Sequence, residues 1–121
     1  MNYQEKFKEY LKVKALLFNH YPEGCVKITE KESLLHAVVK TQLAYFFKSN
    51  GYDIYTEANF QDAGRCDLIA INRSGYFYIV EVVVSESKKS IENKREKYPA
   101  EFIVVDAKNF KYEEFKLWQT K

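Results

Sequence analysis

Two carboxylates, Asp67 and Glu81, stand where a strand reading brings them face to face. Asp67 precedes the apolar run Leu68 to Ile71, and Glu81 lies inside a second run, Tyr76 to Val84. Between the runs, Asn72-Arg73-Ser74-Gly75 is a polar connection ending in a glycine able to take a positive φ, so the segment reads as a β-hairpin. With the common three-residue loop Arg73, Ser74 and Gly75, Gly75 takes the left-handed position. Asn72 then pairs with Tyr76, and counting outward sets Asp67 opposite Glu81. Such neighbours lie about 4.5 to 5.5 Å apart at Cβ, where like charges destabilise. A bound cation is the simplest compensation, and magnesium suits it, taking one or two carboxylates while keeping several waters. The alternative is a structural one: one carboxylate at a frayed strand end, the other paired with Arg65.

Further ionisable groups are spaced to join this pair. Glu57 ends the strand-like run Tyr52 to Glu57 and points towards the hairpin if the strands are neighbours. Glu32, His36 and Lys40 follow at four-residue steps, so one helix face carries all three, as a site wall or as a polar rim over solvent. After the hairpin, alternation puts Phe77, Ile79, Glu81, Val83 and Ser85 on one face and Tyr78, Val80, Val82 and Val84 on the other. Lys88, Lys89, Lys94, Arg95 and Lys97 crowd the next segment and form the main basic patch, suited to phosphates. Lys94 shares a helical face with Ile91 and Tyr98.

The order Glu57, Gly-Arg-Cys-Asp67-Leu-Ile-Ala-Ile, hairpin, Tyr-Ile-Val-Glu81-Val-Val-Val-Ser resembles the core of the PD-(D/E)XK nuclease superfamily, which includes archaeal Holliday junction resolvases. The resemblance spans about residues 29 to 106. It implies an α/β domain with a restriction-endonuclease-like mixed β-sheet flanked by helices, and a metal-dependent DNA endonuclease or resolvase-like activity that hydrolyses phosphodiester bonds. Asp67 and Glu81, with the carbonyl of Val82, would hold Mg2+ or Mn2+. Glu57 or Glu32 would be an outer ligand or general base, Arg65 would lie near the mouth of the site, and DNA would be the partner. The junction resolvases act as dimers, so a homodimer is an expectation too. One departure stands out: the usual Glu-x-Lys motif here has Val83 in the lysine position. Either a helix lysine, Lys94, replaces it, with Lys40 and His36 as the next candidates, or the chain is a catalytically inactive nuclease-fold protein for DNA binding or assembly. An unrelated small α/β interaction protein is the remaining reading.

Composition frames these expectations. With 121 residues, 46% hydrophobic and 30% charged, the chain suits one globular domain, 1–121, with a helical N-terminal extension over about 1–28. A net charge of +2 gives no global attraction for nucleic acid, so any such surface is local. Cys25 and Cys66 are too few for a disulfide framework, and no segment reads as a membrane span or leader, which suggests an intracellular, cytoplasmic protein.

The elements that position the site follow in order. Tyr3, Phe7, Tyr10, Leu11, Leu17 and Phe18 predict an amphipathic helix from Tyr3 to Phe18, ended near His20, which would cap it. Thr29 and Glu32 fit a capping box opening a second helix that packs through Leu35, Val38, Val39, Leu43, Phe46 and Phe47 and stops at Asn50-Gly51. Ala58 to Arg65 reads as a connecting loop. After the hairpin come a helix from Lys88 to Tyr98, a buried strand Phe102 to Val105 beside the Glu81 strand, and a helical tail, Asn109 to Trp118, that docks on the body or on a second subunit.

Overall fold

The structure, a computed structural model, describes residues 2–61, 64–84 and 101–116. Two helices, α1 (Tyr3–Lys14) and α2 (Leu34–Ser49), accompany five strands: β1 (Leu17–Phe18), β2 (Asp53–Phe60), β3 (Gly64–Ile71), β4 (Phe77–Val83) and β5 (Glu101–Asp106). The strands form one mixed sheet in the order β1-β2-β3-β4-β5, antiparallel except for the parallel pair β4 and β5. This is an α/β architecture with a helix on each face.

Two apolar layers hold it together. On one face Val39, Leu43, Ala44 and Phe47 of α2 meet Ile54, Leu68, Ala70, Tyr78, Val80, Val82 and Val105. On the other, Tyr10 and Val13 of α1, with Leu17, cover Tyr55, Ala58, Phe60, Cys66, Ile69, Ile71 and Ile79. Each fully buried large aliphatic such as Leu43, Leu68 or Ile79 is worth roughly 1.5 to 3 kcal/mol of transfer free energy.

The β3–β4 hairpin has the expected register. Ile71 pairs with Phe77, the Asn72 amide donates to the Tyr76 carbonyl at 2.8 Å, and Gly75 has φ +88°. Asn72 Oδ1 also accepts from the amides of Ser74 and Tyr76, which ties the loop down. A Cβ on Gly75 would lie 2.7 Å from the backbone carbon of Glu9, so the hairpin tip seats directly against α1. Beside it, Asp53 accepts a hydrogen bond from the Tyr10 hydroxyl and pairs with Arg73 at 3.2 Å.

Several boundaries differ from expectation. α1 stops at Lys14, because Leu17 and Phe18 extend to pair with Phe60 and Asn59. Its buried side is Tyr10 and Val13, while Tyr3, Phe7 and Leu11 stay exposed. His20 caps no helix; its ring packs edge-on against Tyr55 at 4.9 Å. α2 begins at Leu34, with Ser33 Oγ accepting the His36 amide as its cap, and Leu35 and Val38 face outwards. The expected loop from Ala58 to Arg65 is instead the end of β2 and the start of β3, with Phe60 paired to Gly64. The tail forms a short 3-10 turn, Tyr112–Glu114, rather than a helix, and it docks through Phe110 and Phe115. Trp118 and the segment expected as a helix from Lys88 to Tyr98, with Lys88, Lys89, Lys94 and Arg95, lie outside the described residues. Among the described residues no helix is long and apolar enough to cross a membrane.

Strands β2 and β3 share an irregularity that matters for the site. Ile54 faces α2 and Tyr55 faces α1, as alternation requires, yet Ala58 and Phe60 then face α1 although their parity predicts the other side. On β3 the same happens: Cys66 faces α1, while Leu68 and Ala70 face α2. The register is unchanged across the irregularity, with Thr56 on Leu68 and Ala58 on Cys66. Glu57 and Asp67 are therefore opposed extra residues, one in each strand, where both strands exchange faces. Glu57 takes φ +49°, the left-handed region that a residue with a Cβ rarely adopts.

Candidate functional site

The exchange of faces turns two carboxylates towards α2. Glu57 Oε2 reaches the ammonium of Lys40 at 3.4 Å, and Asp67 Oδ2 lies 3.2 Å from His36 Nε2. With strict alternation, Glu57 and Asp67 would point to the α1 layer instead. The paired strands thus bring to one face side chains that plain sheet geometry would bury on the other.

Glu81 joins from the third strand. The β3–β4 ladder ends at Leu68 opposite Val80, and one step further Asp67 stands across from Glu81. There the Val82 amide donates to Asp67 Oδ2 at 2.8 Å, so a side chain takes over where the backbone ladder stops. Glu57, Asp67 and Glu81 come from neighbouring positions on β2, β3 and β4, with Glu81 set by alternation on the Ile79 side of its strand. They line an open cleft of about 420 Å³ together with Thr29, Lys31, Glu32, Ser33 and His36. Val83 also lines it, an aliphatic group beside Glu81.

A chain of charge-assisted contacts fixes the α2 side. Glu32 Oε1 accepts from Lys40 Nζ at 2.7 Å and from the Thr29 amide at 2.7 Å, while Oε2 lies 2.5 Å from His36 Nδ1. Both ring nitrogens of His36 face carboxylate oxygens, and both contacts are hydrogen bonds only when both nitrogens carry protons. Burial pushes the Glu32 carboxyl up, but the hydrogen bonds from Lys40, the Thr29 amide and His36 outweigh it and hold it below the usual carboxylate range. Glu57 goes the other way. Burial raises its carboxyl and the charge of Asp67 adds to the rise, against the pull of Lys40.

The expected residues fall into distinct groups. Glu57, Asp67, Glu81, Glu32 and His36 line the cleft together; Lys40 is fully buried behind it, bonded to Glu32 and Glu57 and to the carbonyl of Lys27. Arg65 is exposed on β3, and among the described residues the ion-pair partner of Asp67 is His36 rather than Arg65. Lys31 and Ser33 carry no role in the sequence pattern, and Thr29 only a capping one, yet all three belong to the cleft wall. Their signal is faint: only their nearness to Glu32 marks them.

Asp67 and Glu81 provide hard oxygen donors at an open cleft, which fits a small divalent ion that keeps most of its water. Among the described residues no three His, Cys, Asp or Glu side chains are grouped so as to hold a metal ion. A two-carboxylate, water-rich position is the kind these residues suit. Comparison with family models, with curated proteins and with solved structures finds no match.

Proposed function

We propose that this protein is a magnesium-dependent nuclease that hydrolyses phosphodiester bonds in DNA on a restriction-endonuclease-like core. The observation that carries the reading is that Asp67 and Glu81, just past the end of the β3–β4 ladder, both line one open cleft. The sequence of elements α2, β2, β3, β4 and a parallel β5 supports it as well, because it follows the order that the resemblance implies.

Asp67 and Glu81 would hold the ion, with the Val82 carbonyl. A divalent ion supplies Lewis acidity at a phosphoryl oxygen and a more acidic bound water. The chain's own residues then divide the remaining work. His36 and the Val82 amide fix the Asp67 carboxylate through Oδ2. Glu57, its carboxyl raised by burial, stands next to Asp67 as a proton acceptor near the attacking side. Lys31 at the cleft and Arg65 on β3 are exposed cations for the flanking phosphates.

A second reading has its own observation. Val83 occupies the cleft where a cation would neutralise developing charge, and Lys40 is engaged by two carboxylates. An inactive nuclease-fold protein that binds DNA would have this arrangement. Purified protein with magnesium or manganese should cut at least one of linear, supercoiled, single-stranded or four-way DNA, and Glu81→Gln should abolish the cutting. No cutting of any of them, with cutting gained by Val83→Lys, would favour the binding protein.

A further inference from the structure

Lys40 is a buried cation enclosed by oxygen. Its side chain is fully buried, and its three N–H donors have three oxygens from three parts of the chain: Lys27 O, Glu32 Oε1 at 2.7 Å and Glu57 Oε2 at 3.4 Å. Two carboxylates and a carbonyl are a hard-donor set of the kind magnesium and calcium use. An ammonium is a rarer occupant of so dry a place, since lysine is almost never fully buried unless paired. Glu57 is the wall shared with the cleft, because it faces Lys40 on one side and stands opposite Asp67 on the other.

We propose that the Lys40 ammonium fills a second cation position of this centre, so that the native protein takes a single divalent ion, at Asp67 and Glu81, and that shortening Lys40 turns the ammonium pocket into a divalent-ion site. The first half rests on the nuclease reading; the pocket behind Glu57 does not. Neutralising Glu32 and Glu57 from within also explains how a left-handed Glu57 is held in place: its backbone strain is offset by a contact available only on the α2 face.

Ion titration by calorimetry and thermal unfolding with magnesium and with calcium test this on four proteins. Wild type should bind one ion. Lys40→Ala should bind one more, and its midpoint, lowered in chelator, should climb by about 5 °C when the ion stands at tenfold its dissociation constant. Lys40→Met keeps the pocket filled with an uncharged chain and should gain no ion. Lys40→Ala combined with Glu57→Gln should lose the gain, since one of the two carboxylates is gone. Wild type taking two ions would overturn the proposal, as would Lys40→Ala that gains none or stays unfolded with the ion present, because a cation in the ammonium's place restores the missing charge. An extra ion in Lys40→Ala, with none in wild type, would support the pocket and sink the Asp67–Glu81 reading alone.

Discussion

The carboxylate of Asp67 meets its neighbours through one oxygen, Oδ2, which takes the Val82 amide and faces His36. Asp67→Asn keeps an acceptor for that amide while removing the charge, so it should fold. Magnesium should raise the unfolding midpoint of wild type and leave Asp67→Asn unmoved, and cleavage should fall at least about a hundredfold, the scale of losing one electrostatic stabiliser. The two carboxylates around Lys40 make opposite predictions about acid. Glu32 has its folded carboxyl below the ordinary value, so its contribution is present above that value and is lost as pH falls through the folded one. The stability gap between wild type and Glu32→Gln should therefore shrink on acidification. Glu57 has its carboxyl raised, so ionising it costs stability as pH rises through the ordinary range, and Glu57→Gln should improve relative to wild type over the same rise. Urea unfolding across a pH series measures both slopes. At this scale the four-residue spacing of His36 and Lys40 showed a shared face of α2 from the sequence, whereas Glu32, expected on that helix face, precedes the Ser33 cap and reaches both from outside the helix. That Lys40 is buried did not show, because lysines on helix faces are ordinarily solvated.

Among the elements, the β3–β4 hairpin was legible because turn chemistry and a period of two fix a register by counting. The α1 packing face was not. Its apolar residues offer two stripes, Tyr3-Phe7-Leu11 and Tyr10-Val13, and the chosen one is continuous with Leu17, which the pairing of β1 with β2 pulls into the core. The short β1 has a second role here. Beyond it the loop continues along β2, where the Gly24 amide donates to Ile54 O and Thr56 Oγ1 takes the Lys27 amide, so backbone that would otherwise form an open edge is bonded. The contact between Gly75 and Glu9 joins α1 to the hairpin. Gly75→Ala meets both a positive φ and a 2.7 Å approach, and should destabilise by more than about 1 kcal/mol in chemical denaturation. An exposed substitution on α1 should cost less; Glu5→Gln serves as the control, since it keeps the backbone amide that donates to Asn2 Oδ1.

For the whole molecule, a net charge of +2 means that the DNA binding proposed here would rest on local cations. Binding should fall steeply with added salt, and replacing Lys88 and Lys89 by Ala should weaken it about equally for all sequences, because phosphate contacts carry no sequence information. Gel shifts at several salt concentrations decide this, and a flat response would point to a protein partner instead. The sequence could not reveal where β2 and β3 exchange faces, since polar Glu57 and Asp67 are silent about which side is core. That exchange has an engineering consequence. Remove Glu57 alone or Asp67 alone, and one strand slips against the other, placing core residues in solvent. Remove both, and Ala58 follows Thr56 and Leu68 follows Cys66 in unbroken alternation, leaving both apolar layers as they are. The double deletion should fold cooperatively, with near-native circular dichroism, where either single deletion does not. Chemistry here would be a cassette of two residues set into a sheet that is complete without it.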